Sequence, residues 1–136
     1  MRTLAIAVTV TGLAMLAHAN AAESKTDKTT ASAPAESGWL VSWDKAVEQS
    51  KKTGKPILAD FTGSDWCGWC IKLKKEVFST PEFTEWAGKN VILLELDFPR
   101  KTKQDDAIKK QNKDLMTKYK IKGFPTVLIL DRRAHV

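Results

Sequence analysis

The pattern of apolar and polar positions downstream of residue 38 predicts three strands separated by helices. The runs ILADF at 57–61, VILLELDF at 91–98 and VLIL at 127–130 are short, apolar and bounded by turn residues, as is typical of buried strands. Between these runs, apolar side chains recur three or four residues apart, which is the spacing of an amphipathic helix. The chain therefore alternates between the two kinds of element.

Capping residues indicate where the helices begin and end. Ser42 is a suitable N-cap for a first helix that stops at Gly54, and CIKLKKEVF at 70–78 predicts a second helix. The sequence STPE at 79–82 has the pattern of a capping box with proline in the first turn, so a new helix is expected there. A lysine-rich helix is predicted within residues 100–122.

The order of these elements predicts an α/β fold. Two buried strands joined by a helical crossover form a right-handed βαβ unit, in which the strands pair in parallel. The sequence DWCGWC follows the first of these strands and leads into the next helix. A CxxC pair at such a strand-to-helix junction is typical of a redox motif.

The first 21 residues have the pattern of an export signal. Arg2 precedes an apolar run at 4–17, and the small residues at 17–19 and 19–21 each fit the Ala-x-Ala site of a signal peptidase. The run is shorter than the roughly 20 residues of a membrane-spanning helix. We therefore expect cleavage, no stable membrane insertion afterwards, and a mature protein that is periplasmic or secreted.

The segment after the signal is predicted to be a flexible linker. Residues 22–38 are polar and rich in Ser, Thr and Ala, so they cannot bury enough apolar surface to offset the entropy lost on ordering. Residues 39–136 remain, and their number is enough for one small domain.

The net charge of +6 does not indicate a nucleic-acid partner. Much of the lysine falls in residues 100–122, where Ile108, Leu115 and Tyr119 supply an apolar stripe at helical spacing. A basic run of this kind is typical of the solvated face of a helix. Export would also separate the protein from nucleic acid.

The two cysteines of the chain, Cys67 and Cys70, allow four interpretations. Tetrahedral zinc needs four ligands, and His135 is the only histidine beyond the signal. Covalent haem attachment needs histidine directly after the second cysteine, where Ile71 stands. A purely structural crosslink would close so short a loop that it stabilises little. A redox dithiol is the interpretation that the βαβ context favours, and no metal or other cofactor is predicted for it.

The spacing also predicts the role of each sulfur. Residues three apart on a helix share a face, so the two sulfurs can form a disulfide. Cys67, at the start of the helix, meets free backbone N–H groups and the positive end of the helix dipole, which favour the thiolate, so it is the predicted nucleophile. Cys70, one turn further in, is the predicted resolving thiol. Trp66 and Trp69 are either packing residues or part of a surface on which substrate docks.

These motifs resemble those of the thioredoxin superfamily. ADFTGSDWCGWC at 59–70, followed by GFPT at 123–126, carries the resemblance, which covers residues 40–131. The chain is also similar to secreted thioredoxin-like proteins and to the periplasmic C-terminal domain of the bacterial transmembrane disulfide reductase. The resemblance implies a three-layer α/β fold with a central sheet flanked by helices.

The resemblance implies roles for three further residues. Asp60 matches the buried strand aspartate that accepts a proton from the resolving cysteine through water. Pro125 matches the cis-proline that lies against the cysteines of family members. The backbone of Phe124 is then the predicted edge on which an extended substrate pairs, although Phe124 itself could equally belong to the core.

Two departures from the family pattern change the expectations. Gly68-Trp69 separates the cysteines, and the absence of histidine there favours a reductase or isomerase over a strong oxidant. The chain also stops at DRRAHV, before the family's C-terminal edge strand and helix, so we expect a truncated fold in which VLIL at 127–130 is an exposed apolar edge.

The predicted function is that of an exported thiol-disulfide oxidoreductase acting on protein cysteines, with a redox partner that recycles the dithiol. Two alternatives remain at this point. The chain could be a non-catalytic thioredoxin-like binding module, or a periplasmic copper-handling protein, because paired thiolates suit Cu(I). Met116 is the only methionine beyond the signal, so the residues that often accompany copper sites are scarce.

Overall fold

The computed structural model of the protein describes residues 38–136. The predicted signal at 1–21 and all but the last residue of the predicted linker lie outside the described residues. The described elements are, in chain order, α1 (Trp43–Thr53), β1 (Ile57–Thr62), α2 (Gly68–Leu73), a π-helical turn (Lys74–Phe78), α3 (Pro81–Asn90), β2 (Ile92–Asp97), α4 (Asp106–Lys118) and β3 (Thr126–Leu130). The predicted alternation of strands and helices is confirmed.

Side chains cap the helices at the predicted places. The Ser42 hydroxyl accepts a hydrogen bond at the start of α1, which ends at Gly54 in the left-handed region with φ of 78°. Thr80 caps α3, and Pro81 occupies its first turn, where a missing N–H leaves no intrahelical bond unmade. In the lysine-rich segment the helix begins only at residue 106, because Asp105 accepts hydrogen bonds from the first backbone N–H groups of α4.

The three strands form one sheet in the order β2-β1-β3. β1 and β2 pair in parallel, as the helical crossover predicts, and Asp60 stands opposite Glu95 in their register. β3 pairs antiparallel with β1 and places Val127 on the other side of Asp60. Asp60 therefore lies in the central strand between these two side chains.

Two hydrophobic cores lie on opposite faces of the sheet and make the predicted three layers. The larger core joins α1 and α4 to the sheet and is built around Phe61, Leu94 and Leu96, which are fully buried. The smaller core is built around Trp39 and Leu58, with side chains from the π-helical turn and α3. All six residues of β1 are buried because both faces of the central strand are covered.

Within residues 38–136, β3 pairs with β1 alone, so its outer edge is unpaired. Val127 and Ile129 are exposed, as expected for the apolar strand at 127–130. They share the face of the sheet that carries Leu58 and Asp60. No helix in the described part of the chain is both long and apolar enough to cross a membrane.

Candidate active site

The candidate site is a disulfide at the junction between β1 and α2. Cys67 is the N-cap of α2, and it is bonded to Cys70, with the two Cα atoms 5.2 Å apart. The backbone N–H of Cys70 donates a hydrogen bond of 3.3 Å to the Cys67 Sγ. Cys67 is 7% exposed and Cys70 is 3% exposed, so the predicted resolving sulfur is the more buried of the two.

A tight turn after β1 presents Cys67 to the helix. The Cys67 N–H donates to the Gly63 carbonyl oxygen at 2.9 Å. The Trp66 indole lies directly against Gly63, where a Cβ atom would come within 2.5 Å of the ring. Only glycine leaves room for the ring at this point, so residue 63 and Trp66 form the turn together.

Trp66 is half-buried and makes three contacts with two other segments of the chain. Its indole N–H donates to the Phe98 carbonyl oxygen at 2.8 Å. The Arg100 guanidinium lies 3.6 Å from the ring centroid, which is a cation–π contact, and the Phe124 ring meets it edge-on at 5.9 Å. The indole thus links the loop around the cysteines to the β2–α4 loop and to the segment before β3.

Asp65 joins the same loops through its carboxylate. The carboxylate accepts hydrogen bonds from the backbone N–H groups of Arg100, Lys101 and Thr102, at 2.9, 2.8 and 2.8 Å. These hydrogen bonds lower the pKa of Asp65 to about 2, and the bond from the Arg100 N–H has the largest effect. We call this arrangement of Asp65 with residues 100–102 the Asp65 clasp.

The predicted substrate contacts at Phe124–Pro125 and at Trp69 differ in their exposure and in their neighbours. The Phe124–Pro125 peptide bond is cis, as the resemblance implies for Pro125. Phe124 is half-buried and packs against the Phe98 ring at 5.0 Å as well as against Trp66, so its ring belongs to the wall of the site. Trp69, by contrast, is 71% exposed and has Lys72 over its ring at 5.4 Å.

Asp60 is buried, and its Oδ1 atom has no hydrogen-bond partner among the described residues. Burial and, after it, the negative charge of Glu95 raise the pKa of Asp60 from 3.8 to about 7. A carboxyl group with such a pKa can give up or take a proton near neutral pH, which is the property required of a general base there.

Glu95, Lys74 and Asp97 surround Asp60 and were not singled out from the sequence. The Lys74 Nζ atom lies 3.0 Å from a Glu95 oxygen, and Asp97 accepts hydrogen bonds from the Ser64 N–H and hydroxyl. A signal for Glu95 existed, because an acidic residue inside the apolar run VILLELDF needs a partner. Nothing in the spacing of the helix marks Lys74 as that partner.

The arrangement can exchange a disulfide and move a proton next to it. A cleft of about 340 Å³ is lined in part by Cys70, Lys74 and Glu95, so solvent reaches the neighbourhood of the more buried sulfur. Residues 38–136 contain no group of three or more His, Cys, Asp or Glu side chains placed to hold a metal ion.

Comparisons with known proteins agree with this geometry. Residues 43–135 match the family described as "Thioredoxin-like domain". The chain is 41% identical over 90 residues to "Disulfide bond reductase DsbH" of Chlamydia pneumoniae, covering 66% of this chain and 54% of that protein. It is 32% identical over 88 residues to "Thiol:disulfide interchange protein DsbD" of Klebsiella pneumoniae, covering 65% of this chain and 13% of that protein.

A solved structure titled "DsbH Oxidoreductase" superposes with a TM-score of 0.68 at 39% identity, covering 71% of this chain and 67% of the other. The chain thus spans about half the length of the Chlamydia relative and a small part of the Klebsiella one.

Proposed function

The chain belongs to the thioredoxin-like family, and from this we propose that it is a thiol-disulfide oxidoreductase acting on protein cysteines through Cys67 and Cys70. The observation that carries the proposal is the Cys67–Cys70 disulfide at the start of α2, next to the Trp66 ring on which Phe124 packs. The names of the two relatives, a disulfide bond reductase and a thiol:disulfide interchange protein, support the same activity.

The reaction begins from the reduced dithiol. The Cys67 thiolate attacks one sulfur of a substrate disulfide, which forms a mixed disulfide and releases the other substrate sulfur as a thiolate that takes up a proton. The Cys70 thiolate then attacks the Cys67 sulfur and releases the second substrate thiolate. The substrate gains two electrons, and the protein is left with the Cys67–Cys70 disulfide. A partner dithiol must return two electrons for another cycle.

Asp60 takes the proton of the Cys70 thiol in this scheme. Burial keeps the pKa of Asp60 at about 7, so the carboxylate is available at neutral pH and still basic enough to accept a proton. Its unpartnered Oδ1 is the atom that we assign to this transfer, through water. Cys70 needs such a base because it is buried, and burial disfavours the thiolate.

The substrate surface that we propose has an exposed and a fixed part. Trp69 is exposed and offers its ring to apolar side chains of the substrate. The fixed part that we propose is a wall formed by Trp66, Phe124 and Pro125, and we assign to the Phe124 backbone the pairing with an extended substrate segment. The Trp66 ring is held by three contacts, so its role is to shape this wall.

We further propose that the protein acts as a reductase or isomerase outside the cytoplasm. The predicted signal at 1–21 supports export, and disulfide substrates persist in oxidising compartments. The absence of histidine between the cysteines and the name of the Chlamydia relative support the reducing direction.

Reduction of insulin disulfides by the full chain, with a chemical dithiol as electron donor, tests this function. We expect turnover from the wild type and none above background from Cys67→Ser. Glu85→Gln, which breaks an exposed ion pair on α3, is the matched control and should behave as the wild type. Equal turnover by wild type and Cys67→Ser would refute the assignment.

A further inference from the structure

We propose that Lys74 and Glu95 are positioning residues whose ion pair sets how readily Asp60 releases and takes back its proton. The inference extends the proposed function, because it concerns the carboxyl group to which the proton transfer was assigned. It assigns a role to two residues, one on β2 and one on the π-helical turn.

The sheet places the Glu95 carboxylate beside Asp60. The two residues are partners in the parallel register of β1 and β2, so their side chains project from the same face of neighbouring strands, which run about 4.8 Å apart. Glu95 is largely buried, with 20% of its side chain exposed, so its charge is weakly screened by solvent. Two carboxylates that stand side by side on neighbouring strands disfavour each other's ionisation.

The π-helical turn places the compensating charge. Lys74 opens the turn that follows α2, and its ammonium group lies 3.0 Å from a Glu95 oxygen. The two charges act on Asp60 in opposite directions: Glu95 raises the pKa of Asp60 and Lys74 lowers it, with Glu95 the stronger of the two. Changing the charge of either residue therefore changes the pKa of the buried Asp60 carboxyl group, and the two residues change it in opposite directions.

Among the charged neighbours of Asp60, Glu95 and Lys74 have the largest effects on its pKa. From β2, Asp97 also raises the pKa of Asp60, by less than Lys74 lowers it. The Asp97 carboxylate is occupied by two hydrogen bonds from Ser64. From β3, the register neighbour is Val127, which carries no charge. From α2, Cys70 is the titratable group of the reduced protein.

The cleft beside Cys70 connects the pair to the reaction. Its lining includes Cys70, Lys74 and Glu95, so one solvent-filled space touches the resolving sulfur and both members of the ion pair. The cleft thus brings solvent to the ion pair and to Cys70, the group from which Asp60 takes a proton in the proposed scheme. The charges of Lys74 and Glu95 then set the pH range over which the Asp60 carboxylate can accept a proton.

The test is an NMR titration of the Asp60 carboxyl carbon in the oxidised full chain, carried from acid to alkaline pH. Glu95→Gln removes a negative charge and keeps the shape of the side chain, so the Asp60 midpoint should fall by about one pH unit. Lys74→Gln removes the positive charge and should raise the midpoint by a similar or smaller amount. The Asp60 midpoint of the double variant should lie between the midpoints of the two single variants.

Shifts of the Asp60 midpoint in opposite directions in the two single variants distinguish this role from a purely structural one. Each single variant breaks the same ion pair, so a pair that only fastens the π-helical turn to β2 would move the midpoint in one direction for both, or not at all. Either result would overturn the inference. Glu85→Gln and Lys89→Gln break an exposed ion pair within α3 and should leave the midpoint unchanged.

The pH dependence of insulin reduction by the same variants tests the proposed function separately. If the turnover profile follows the Asp60 midpoint in opposite directions, the pair acts on the reaction through Asp60. If the midpoint moves as expected and the turnover profile does not follow it, the inference about the pair stands and the assignment of Asp60 as proton acceptor fails.

Discussion

Among single residues, the proposed proton transfer depends on one carboxyl group that the fold holds away from water. Asp60 stands in a strand with both faces covered, and the Glu95 charge lies beside it in the register. Its raised pKa means that the folded chain holds a proton that the unfolded chain releases. The fold therefore accommodates a destabilising group where the proposed reaction needs a base.

This linkage predicts a pH-dependent stabilisation by Asp60→Asn. Because the pKa of Asp60 rises from 3.8 to about 7 on folding, the stability of the wild type falls relative to the variant as pH rises through this interval. We expect Asp60→Asn to be more stable than the wild type by about 4 kcal/mol at mildly alkaline pH, and equal to it in acid.

Urea unfolding of the oxidised protein at several pH values measures this difference, with Glu85→Gln as a control for loss of an exposed carboxylate. A stability difference between Asp60→Asn and wild type that stays constant across pH would contradict the raised pKa.

Sequence reasoning reached the residues whose roles follow from spacing. Cys67 and Cys70 were identified because their spacing is local, and Asp60 and Pro125 because they match positions of the family that the motifs resemble. Glu95 and Lys74 were missed because a parallel register and a contact between a helical turn and a strand depend on tertiary packing, which spacing does not encode.

At the scale of elements, the β2–α4 loop is fastened to the loop that carries the cysteines. The Asp65 clasp binds residues 100–102, and the indole of Trp66 binds the Phe98 carbonyl and lies under Arg100. The first residues of the lysine-rich segment are therefore a loop held by Asp65, some 35 residues away in sequence, and the helix begins only at Asp106. Hydrophobic periodicity carries no signal for such a contact.

Removal of the clasp should loosen that loop without unfolding the domain. In Asp65→Asn a neutral amide replaces a carboxylate that accepts three backbone hydrogen bonds, so amide hydrogen exchange at residues 100–102 should become faster. Because the pKa of Asp65 is lowered on folding, the clasp is strongest above 3.8, the ordinary pKa of aspartate. In the wild type the same loosening is therefore expected as pH falls from 3.8 towards about 2, where the Asp65 carboxylate takes up a proton.

Hydrogen exchange followed by mass spectrometry or NMR measures the effect, and Asp114→Asn on the exposed face of α4 serves as the matched carboxylate control. Unchanged exchange at residues 100–102 in Asp65→Asn would show that the clasp does not hold the loop.

At the scale of the whole molecule, the fold rests on two cores that do not include the cysteines. The larger core lies under α1 and α4, the smaller under α3 and the π-helical turn, and neither contains Cys67 or Cys70. The α/β class followed from the order of elements, since a helical crossover dictates parallel pairing, and the three layers followed from the family resemblance. The antiparallel pairing of β3 had no such local signature.

Reduction of the disulfide should therefore leave the domain folded. The bond closes a loop of only a few residues, so its loss should cost about 2 kcal/mol at most. Urea unfolding of the oxidised and reduced protein, followed by circular dichroism, measures this cost, and an unfolded reduced protein would mean that the disulfide is a structural crosslink.

The central claim is that Cys67 attacks and Cys70 resolves, and covalent capture of a disulfide substrate tests it most directly. Reduced Cys70→Ser should accumulate a mixed disulfide with insulin through Cys67, because the sulfur that would release the substrate is gone. Reduced Cys67→Ser should accumulate none, because the remaining Cys70 is buried. Capture by Cys67→Ser at a rate equal to or above that of Cys70→Ser would contradict the account.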